Sequence, residues 1–275
     1  MTDNTYDVAI IGAGPAGAQA GLYTARAGLA TAVFTAGPGE LSRAHLVENY
    51  YGLPRAVSGK TLHKYGLKQL ERVGAEILTA EVTGVSYSLE YEIEYTGGRV
   101  NAKCVIIATG RAKNRVNIKG LAELEGRGVS YCAVCDGFFY KNKPVAVLGA
   151  GEYAAAEAGH LEALASSVTV LHDIKSLKTD DNGMLAGVVL EDGSLLEVKG
   201  LFVAVGTASA SDLARKLGCE LENGAIKTDE HGKTNLPGIF AAGDCTDGIA
   251  QISTAVGQGA AAGLAAVKYI KEVLA

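Results

Sequence analysis

The sequence predicts an α/β protein with two dinucleotide-binding-type (Rossmann-like) domains, the second inserted into the first and shortened. Residues 6–35 and 144–173 share one layout: an apolar strand, a glycine turn, an Ala-rich helix and a second apolar strand. Each stretch has about the length of one βαβ unit. Glycine contributes 36 of the 275 residues, about twice its average usage, without a collagen-like period. Such an excess indicates tight turns and close approach of the backbone to a ligand.

Short strands and hairpins are predicted around these two units. Residues 75–110 alternate as strands, with a hairpin turn at Gly97–Gly98. The segment 184–200 reads as a second hairpin that turns at Asp192–Gly193. Three later elements follow: buried strands at 201–206 and 236–244, and a closing helix at 251–273.

The domain boundaries are predicted from two short segments near 111–117 and 234–238, which separate the glycine-turn units. We interpret them as the two connections of an inserted domain. Residues 1–112 and 237–275 would then form one domain, and residues 113–236 the inserted one.

Composition and charge exclude several classes of protein. With 48% hydrophobic and 20% charged residues, the chain is typical of a folded protein. The net charge of −5 gives no electrostatic reason to expect nucleic acid. No secretory signal is evident, and the apolar run at 259–267 is too short to span a bilayer. Five cysteines, an odd number, do not suggest a secreted disulfide framework. We therefore expect a cytoplasmic protein with no membrane partner.

The first glycine turn matches G-x-G-x-x-G with Gly12, Gly14 and Gly17, directly after a strand and before a helix. Gly12 allows the tight turn, Gly14 lets the backbone approach a pyrophosphate, and Gly17 permits close packing of helix on strand. The helix N-terminus adds partial positive charge toward the phosphates. This turn predicts a dinucleotide site.

FAD is a better match for that site than NAD. The acidic residue that binds a ribose about 20 residues later is missing, because the second strand ends at Thr35. Two other strands end in Ala108-Thr109-Gly110 and in Gly243-Asp244. Backbone amides and a carboxylate at strand carboxyl ends lie where a long dinucleotide crosses a sheet.

Cys132 and Cys135 form a C-x-x-C pair followed by Asp136. This spacing can close a small, reducible disulfide. Half of a zinc site and two buried thiols are the alternatives, but the sequence holds no second pair of ligands and His160 and His172 are isolated. Asp136 could exchange a proton with a thiol or act as a cap. We expect no metal, and we expect Cys104, Cys219 and Cys245 to have no redox role.

The second glycine turn, Gly149-Ala-Gly151-Glu-Tyr-Ala154, matches G-x-G-x-x-A. The next strand ends at His172-Asp173, where Asp173 would repel the 2′-phosphate of NADPH and could bind the free ribose hydroxyl of NADH. Glu152 adds negative charge where a pyrophosphate would lie. A polar loop at 175–183 and the hairpin leave no room for a second crossover helix and a third parallel strand, so we expect this domain to have lost its nucleotide.

The chain resembles the low-molecular-weight thioredoxin reductases in six motifs, in family order along almost its whole length. These are GAGPAG (12–17), LVENYYGLP (46–54), ATGR (108–111), CAVCDG (132–137), GAGEYAAAE (149–157) and GIFAAGDCTD (238–247). The resemblance implies FAD contacts at Gly12, Gly14, Ala16, Glu40, Asn49, Val82, Gly110, Asp244, Gln251 and Ile252. The predicted FAD site also includes Pro15, Thr35, Leu41, Ala108, Thr109 and Gly243.

The resemblance further implies that Cys135 lies nearer the flavin and Cys132 nearer the protein substrate, thioredoxin, and that Asp136 is the acid–base group. It also implies a homodimer. The branch with a similarly shortened second domain, the ferredoxin-dependent flavin thioredoxin reductases, implies ferredoxin as the electron donor. Ferredoxins are acidic, and Arg111, Lys113, Arg115 and Lys119 form a basic cluster that is either a docking surface or a solvated linker.

The predicted function is an FAD-dependent disulfide reductase that passes electrons from ferredoxin through Cys132–Cys135 to thioredoxin. The same chemistry driven by NADPH or NADH is the main alternative. A non-catalytic flavin redox sensor or scaffold is a second alternative, although such a protein needs neither the C-x-x-C pair nor the full set of FAD motifs. A ferredoxin–NADP reductase would need the second nucleotide site and not the cysteines.

Overall fold

The computed structural model describes residues 5–110, 118–131, 133–205 and 210–273. The strands are Thr5–Ile11 (β1), Thr31–Thr35 (β2), Glu76–Thr79 (β3), Val82–Tyr87 (β4), Tyr91–Tyr95 (β5), Gly98–Ile107 (β6), Val129–Ser130 (β7), Pro144–Gly149 (β8), Ser167–Leu171 (β9), Ser176–Thr179 (β10), Leu185–Val189 (β11), Leu195–Leu196 (β12), Gly200–Ala204 (β13), Leu221–Glu222 (β14), Ala225–Ile226 (β15) and Ile239–Ala241 (β16). The α-helices are Pro15–Arg26 (α1), Gly59–Arg72 (α2), Ala133–Asp136 (α3), Gly151–Glu162 (α4), Ala210–Leu217 (α5) and Ile252–Val273 (α6). Three short 3₁₀ helices span Glu40–Arg43, Ala122–Leu124 and Gly137–Tyr140.

The described residues divide into two compact units, one before 111 and after 209, the other between them. The first unit contains a sheet of order β3-β2-β1-β6-β5-β4, with β16 also paired to β6. Strands β1, β2, β3, β6 and β16 are parallel, and β4, β5 and β6 form an antiparallel meander. Ile11 and Ala241 both pair with Ile107. The loops after β1, β6 and β16 therefore leave the same edge of the sheet.

Helices α1 and α6 of the first unit pack closely because small residues line their contact. A Cβ added at Gly259 would lie 2.2 Å from the Ala16 carbonyl oxygen, and one at Gly263 would lie 2.9 Å from that of Ala20. The two helices share one core with the fully buried Val8 and other apolar residues of the sheet. Burying a side chain of that size contributes about 2 kcal/mol. This packing holds the start of α6 near the start of α1.

The second unit contains a parallel sheet of order β7-β13-β8-β9 and a separate antiparallel sheet, β10-β11-β12. Strand β9 is an edge of the described parallel sheet. Residues 172–199 are all described and none is helical. Along the chain, the antiparallel sheet thus lies between β9 and β13, in the place of a crossover helix. The predicted shortening of this unit is confirmed.

The predicted α/β class is confirmed, as are both βαβ units and the two hairpins. The first hairpin turns at Thr96–Gly97, one residue before the predicted Gly97–Gly98, because Gly98 already pairs with Tyr95 as the first residue of β6. Asp192–Gly193 lie between β11 and β12, as predicted. Helices α2 and α5 were not predicted. The Ser58 hydroxyl caps α2 by accepting the Thr61 N–H at 3.1 Å, a sequence signal for a helix start.

The predicted second boundary, between residues 236 and 237, differs from the structure, which groups the residues from 210 onward with the first unit. The reason is hydrogen bonding and burial. The Ile226 N–H donates to the Cys245 carbonyl at 2.9 Å, and Thr234 donates to Ile239 at 3.1 Å. Leu213 of α5 is 1% exposed. The predicted division was 1–112 with 237–275 and 113–236. The second boundary lies about 28 residues earlier than this division places it.

Among the described residues, no helix has both the length and the apolar character that crossing a membrane requires.

Candidate functional site

The first glycine turn depends on two glycines for its packing. Gly12 has φ +111°, and a Cβ there would lie 2.3 Å from the Ala108 carbonyl oxygen. A Cβ at Gly17 would lie 1.8 Å from the Gly12 carbonyl oxygen. Both contacts are far shorter than van der Waals distance, so the strand-to-helix turn requires glycine at both positions.

Gly14 is not required by packing. It is the N-cap of α1 with φ −67°, a conformation open to any residue. A Cβ there would meet no described atom within 4 Å. Pro15 follows at the first helical position, and the N-cap supplies no side-chain hydrogen bond. The start of α1 therefore presents backbone N–H groups beside open space, which is the arrangement that binds a pyrophosphate.

The predicted residues after β6 and β16 lie at the same sheet edge as this turn. A Cβ at Gly12 would be 3.0 Å from the Thr109 nitrogen, and one at Gly243 would be 2.8 Å from the Ala16 Cβ. The Thr109 hydroxyl is buried, with no hydrogen-bond partner among the described residues. A buried, unsatisfied hydroxyl costs free energy. A ligand crossing the edge between Gly12 and Thr109 would satisfy it, so the residues fit a dinucleotide.

Two further predicted residues meet although they are far apart in the chain. Asn49 Nδ2 donates to Gln251 Oε1 at 3.3 Å. Gln251 directly precedes α6, whose first residue is Ile252. The loop after β2 and the start of α6 are thereby brought together in the first unit.

Gln258 was missed by the sequence analysis. Its Oε1 accepts the Gly243 N–H at 2.9 Å and so holds the loop that carries Asp244. Nothing local marks Gln258 in the sequence. The Gly259-x-x-x-Gly263 spacing beside it is a signal of close helix packing that could have been used.

The remaining predicted residues lie near the end of β2. The Thr35 hydroxyl donates to the Gly37 carbonyl oxygen at 3.0 Å, so its side chain turns back on its own loop. Glu40 and Leu41 begin the 3₁₀ helix Glu40–Arg43, and Val82 is buried at the start of β4. All four belong to the first unit.

The C-x-x-C segment belongs to the second unit. Cys132 lies outside the described residues, and of Cys135 only the backbone is described, in α3. Asp136 ends α3, and its Oδ2 accepts the Ser130 hydroxyl at 2.7 Å. Ser130 ends β7 and is buried. This hydrogen bond orients the Asp136 carboxylate, and Ser130 was not predicted as part of the site.

A buried carboxylate also contacts this segment. Glu157 of α4 is 1% exposed, and its Oε2 accepts the Ala133 N–H at 2.7 Å. Ala133 is the first residue of α3 and stands between the two cysteines. The sequence analysis missed Glu157, because its burial is not visible in the pattern of an Ala-rich helix.

The other three cysteines are free and buried. Burial raises the pKa of the Cys104 thiol far above its usual range, that of Cys245 to about 12, and that of Cys219 as well. A thiol with so high a pKa is a poor nucleophile. Among the described residues, which do not include Cys132, no group of three or more His, Cys, Asp or Glu side chains could hold a metal ion.

The second glycine turn joins β8 to α4. A Cβ at Gly149 would lie 2.0 Å from the Ala204 carbonyl oxygen, whereas one at Gly151 would meet no described atom within 4 Å. Glu152 is exposed in the first turn of α4, where its charge interacts favourably with the helix dipole. Asp173 is exposed just beyond β9. Two carboxylates therefore flank the place that nucleotide phosphates would need.

The basic cluster is described only in part. Lys119 lies in a turn before the 3₁₀ helix Ala122–Leu124. Arg111, Lys113 and Arg115 lie outside the described residues.

Comparisons with known proteins agree with these features. The model of the pyridine nucleotide-disulphide oxidoreductase family matches residues 6–182 and 173–259. A thioredoxin reductase of Listeria innocua is 37% identical, over 98% of this chain and 96% of its own length. Among solved structures, the atypical thioredoxin reductase TRi from Desulfovibrio vulgaris Hildenborough has a TM-score of 0.91 and 38% identity, covering 97% of this chain and 98% of that one. A ferredoxin-flavin thioredoxin reductase from Clostridium acetobutylicum has a TM-score of 0.75 and 30% identity, covering 98% and 99%.

Proposed function

We propose that reduced ferredoxin supplies the electrons of this chain, which belongs to the pyridine nucleotide-disulphide oxidoreductase family as a thioredoxin reductase-type flavin disulfide oxidoreductase that acts on thioredoxin. The proposal also assigns the reaction to Cys132, Cys135 and Asp136. The residues proposed to bind FAD belong to the first unit, and the cysteine pair belongs to the second.

The enzyme binds FAD, and the proposal places it at the carboxyl edge of the first sheet. The start of α1 beyond Gly14 would hold the pyrophosphate of FAD. Thr109 and Asp244 would contact the parts of FAD that cross the edge of the sheet. When bound, FAD supplies a carrier that takes up electrons singly and delivers a pair to a disulfide. The residues proposed to hold it are Gly12, Gly14, Pro15, Ala16, Thr35, Glu40, Leu41, Asn49, Val82, Ala108, Thr109, Gly110, Gly243, Asp244, Gln251 and Ile252.

The cysteine pair would reduce thioredoxin by two exchange steps. In the first, the Cys132 thiolate attacks one sulfur of the thioredoxin disulfide, which forms a mixed disulfide and releases one thioredoxin thiolate. In the second, the Cys135 thiolate attacks the Cys132 sulfur, re-forms the Cys132–Cys135 bond and releases the second thiolate. Two electrons leave the pair, and the two thioredoxin thiolates take up protons.

Asp136 would handle a proton in these steps. It directly follows Cys135 in the chain, and the Ser130 hydroxyl holds its carboxylate at 2.7 Å. A carboxyl group in that position can take the proton of an attacking thiol and return it to a leaving thiolate.

The observation that carries the donor proposal is the shortened second unit. Residues 172–199 contain no helix, and β9 is an edge of the parallel sheet that the described residues form. The crevice that would hold a dinucleotide beside such a sheet is therefore incomplete on one side. The exposed Glu152 and Asp173 would repel its phosphates. A donor that needs no nucleotide site is consistent with both features.

One structural relative is named as a ferredoxin-flavin thioredoxin reductase, which supports ferredoxin as the class of donor. NADPH or NADH is the competing donor, favoured by the family model, whose description names a pyridine nucleotide. The basic cluster of Arg111, Lys113, Arg115 and Lys119 would provide positive charge for docking an acidic ferredoxin.

Anaerobic flavin absorbance tests the donor. The purified enzyme is mixed in turn with NADPH, NADH and reduced ferredoxin, and thioredoxin reduction is followed afterwards. We expect bleaching and turnover with ferredoxin alone. Rapid bleaching by either nucleotide would instead establish an ordinary pyridine-nucleotide-dependent reductase.

Two single variants test the cysteine assignment. Cys132→Ser and Cys135→Ser should each abolish thioredoxin reduction and leave FAD bound, with Cys219→Ser, a buried thiol of the first unit, as the matched control. Wild-type turnover in either pair variant would make the assignment wrong. A protein that binds FAD and forms the disulfide but never turns over thioredoxin would be a redox sensor instead.

The proposal includes a homodimer in the cytoplasm, as the resemblance to thioredoxin reductases implies. Sedimentation equilibrium of the holoenzyme tests the dimer, and fractionation of the source cells tests the compartment.

A further inference from the structure

The buried Glu157 has no place in the mechanism above, yet it contacts the peptide between the two cysteines. Its side chain is 1% exposed, and its Oε2 accepts the Ala133 N–H at 2.7 Å. That N–H belongs to the peptide bond joining Cys132 to Ala133. The carboxylate therefore lies one hydrogen bond from the backbone of the pair.

A buried carboxylate costs free energy unless it is well hydrogen-bonded, and an apolar side chain of similar size would cost less. The Glu157 hydrogen bond joins α4, which packs on the second parallel sheet, to the first residue of α3. A charge-assisted bond of this kind is short and directional. Glu157 thus fixes the backbone of the C-x-x-C segment to α4.

The charge of Glu157 has a second effect. Cys132 is bonded directly to the Ala133 nitrogen, so its sulfur is only a few covalent bonds from the N–H that Glu157 accepts. A carboxylate that accepts this N–H opposes the formation of a second negative charge on the Cys132 sulfur.

We infer that Glu157 is a positioning residue for disulfide exchange, which holds the peptide between Cys132 and Cys135 and disfavours the thiolate form of the reduced pair. This inference rests on the proposed redox role of the two cysteines. Reduction of the pair breaks its S–S bond and takes up two electrons and two protons. With the Glu157 charge removed, one thiol releases its proton more readily, so the reduced form is favoured and the midpoint potential rises.

Glu157→Gln tests the inference, because the amide keeps the shape and the hydrogen-bond acceptor but loses the charge. The FAD-loaded, reduced enzyme is alkylated with iodoacetamide at neutral pH, and the modified peptides are quantified by mass spectrometry. The other cysteines are buried, so the reaction reports on the pair. We expect alkylation about tenfold faster than in the wild type. A redox titration should show a tenfold shift of the exchange equilibrium, which is about 30 mV for a two-electron couple.

Glu162→Gln, an exposed residue of the same helix, is the matched control and should change neither value. An alkylation rate of Glu157→Gln within twofold of the wild type, together with an unchanged midpoint potential, would overturn the inference. If that variant loses FAD or fails to fold, Glu157→Asp replaces it. The retained charge should then keep alkylation near the wild-type rate, and a tenfold acceleration would contradict the inference.

The outcome is separable from that of the proposed function. Active Cys→Ser variants would contradict the role of the pair. Inactive Cys→Ser variants, together with an unchanged Glu157→Gln, would contradict only the role of Glu157.

Discussion

Asn49 donates a hydrogen bond from Nδ2 to Oε1 of Gln251 at 3.3 Å, across 202 positions of the chain. The bond joins the loop that follows β2 to the start of α6. Both residues were expected to contact FAD, and their pairing connects the two sequence-distant parts of the first unit.

Asn49→Ala should weaken FAD binding because it removes the side-chain amide that is predicted to contact FAD. The same change removes the hydrogen bond from Asn49 to Gln251. The expected rise in the FAD dissociation constant is about tenfold, equivalent to one hydrogen bond. Titration of the apoprotein by flavin fluorescence quenching measures it. Asn182→Ala, an exposed residue of the second unit, serves as the control. An unchanged constant would remove Asn49 from the FAD site.

The three glycines of the first turn should respond differently to alanine. Gly12→Ala and Gly17→Ala place a Cβ 2.3 and 1.8 Å from backbone oxygens and should lower the free energy of unfolding by about 3 kcal/mol. Gly14→Ala meets open space, so the apoprotein should keep its stability while FAD binding weakens at least about tenfold. Urea unfolding of the apoproteins and FAD titration separate these effects. Equal FAD affinity in Gly14→Ala and wild type would contradict a pyrophosphate beside Gly14.

Asp136→Asn should lower the kcat for thioredoxin reduction about 100-fold, since the amide can still accept from Ser130 but cannot carry the proton. Ser130→Ala should lower it only about threefold, because the carboxylate remains and loses one orienting bond. Steady-state assays with bound FAD verified by absorbance measure both, with the exposed Asp181→Asn as control. If Asp136→Asn kept full activity, the acid–base role would be excluded.

Asp7 links stability to pH. Burial alone would raise its pKa and is the largest single effect, but hydrogen bonds from Lys103 at 2.8 Å and the Ala30 N–H at 2.9 Å together lower it below the usual 3.8. A lowered folded-state pKa means that Asp7 stabilises the fold above pH 3.8 and loses this contribution as the pH falls through the folded value. Asp7→Asn should therefore cost about 0.5 kcal/mol at neutral pH, a value typical of a partly exposed ion pair.

Urea unfolding at several pH values checks the Asp7 prediction. The difference between wild type and Asp7→Asn should shrink as the pH falls below 3.8. A difference in unfolding free energy that grows at low pH would contradict the prediction. It would show that another group controls the loss of stability in acid.

Local patterns predicted much of the fold. Apolar strands, a glycine turn and an Ala-rich helix lie within about 30 residues of one another in each βαβ unit, so the sequence alone places them. The hairpins at Gly97 and Asp192 are equally local, because turn geometry depends on a few adjacent residues. The helix α2 was missed even though Ser58 marks its start.

By itself, the sequence determined the two nucleotide-type units, the glycine turn with its adjoining strand ends, the C-x-x-C pair and the shortened second unit, since each depends on residue type and spacing along the chain. Only the tertiary structure decided that residues 210–236 pack with the first unit, that Gln258 holds the Gly243 loop, and that Glu157 is buried against Ala133. These facts depend on which surfaces meet when distant segments fold together. A local pattern shows which face of a segment is apolar, but it does not identify the distant group that this face or a polar side chain meets.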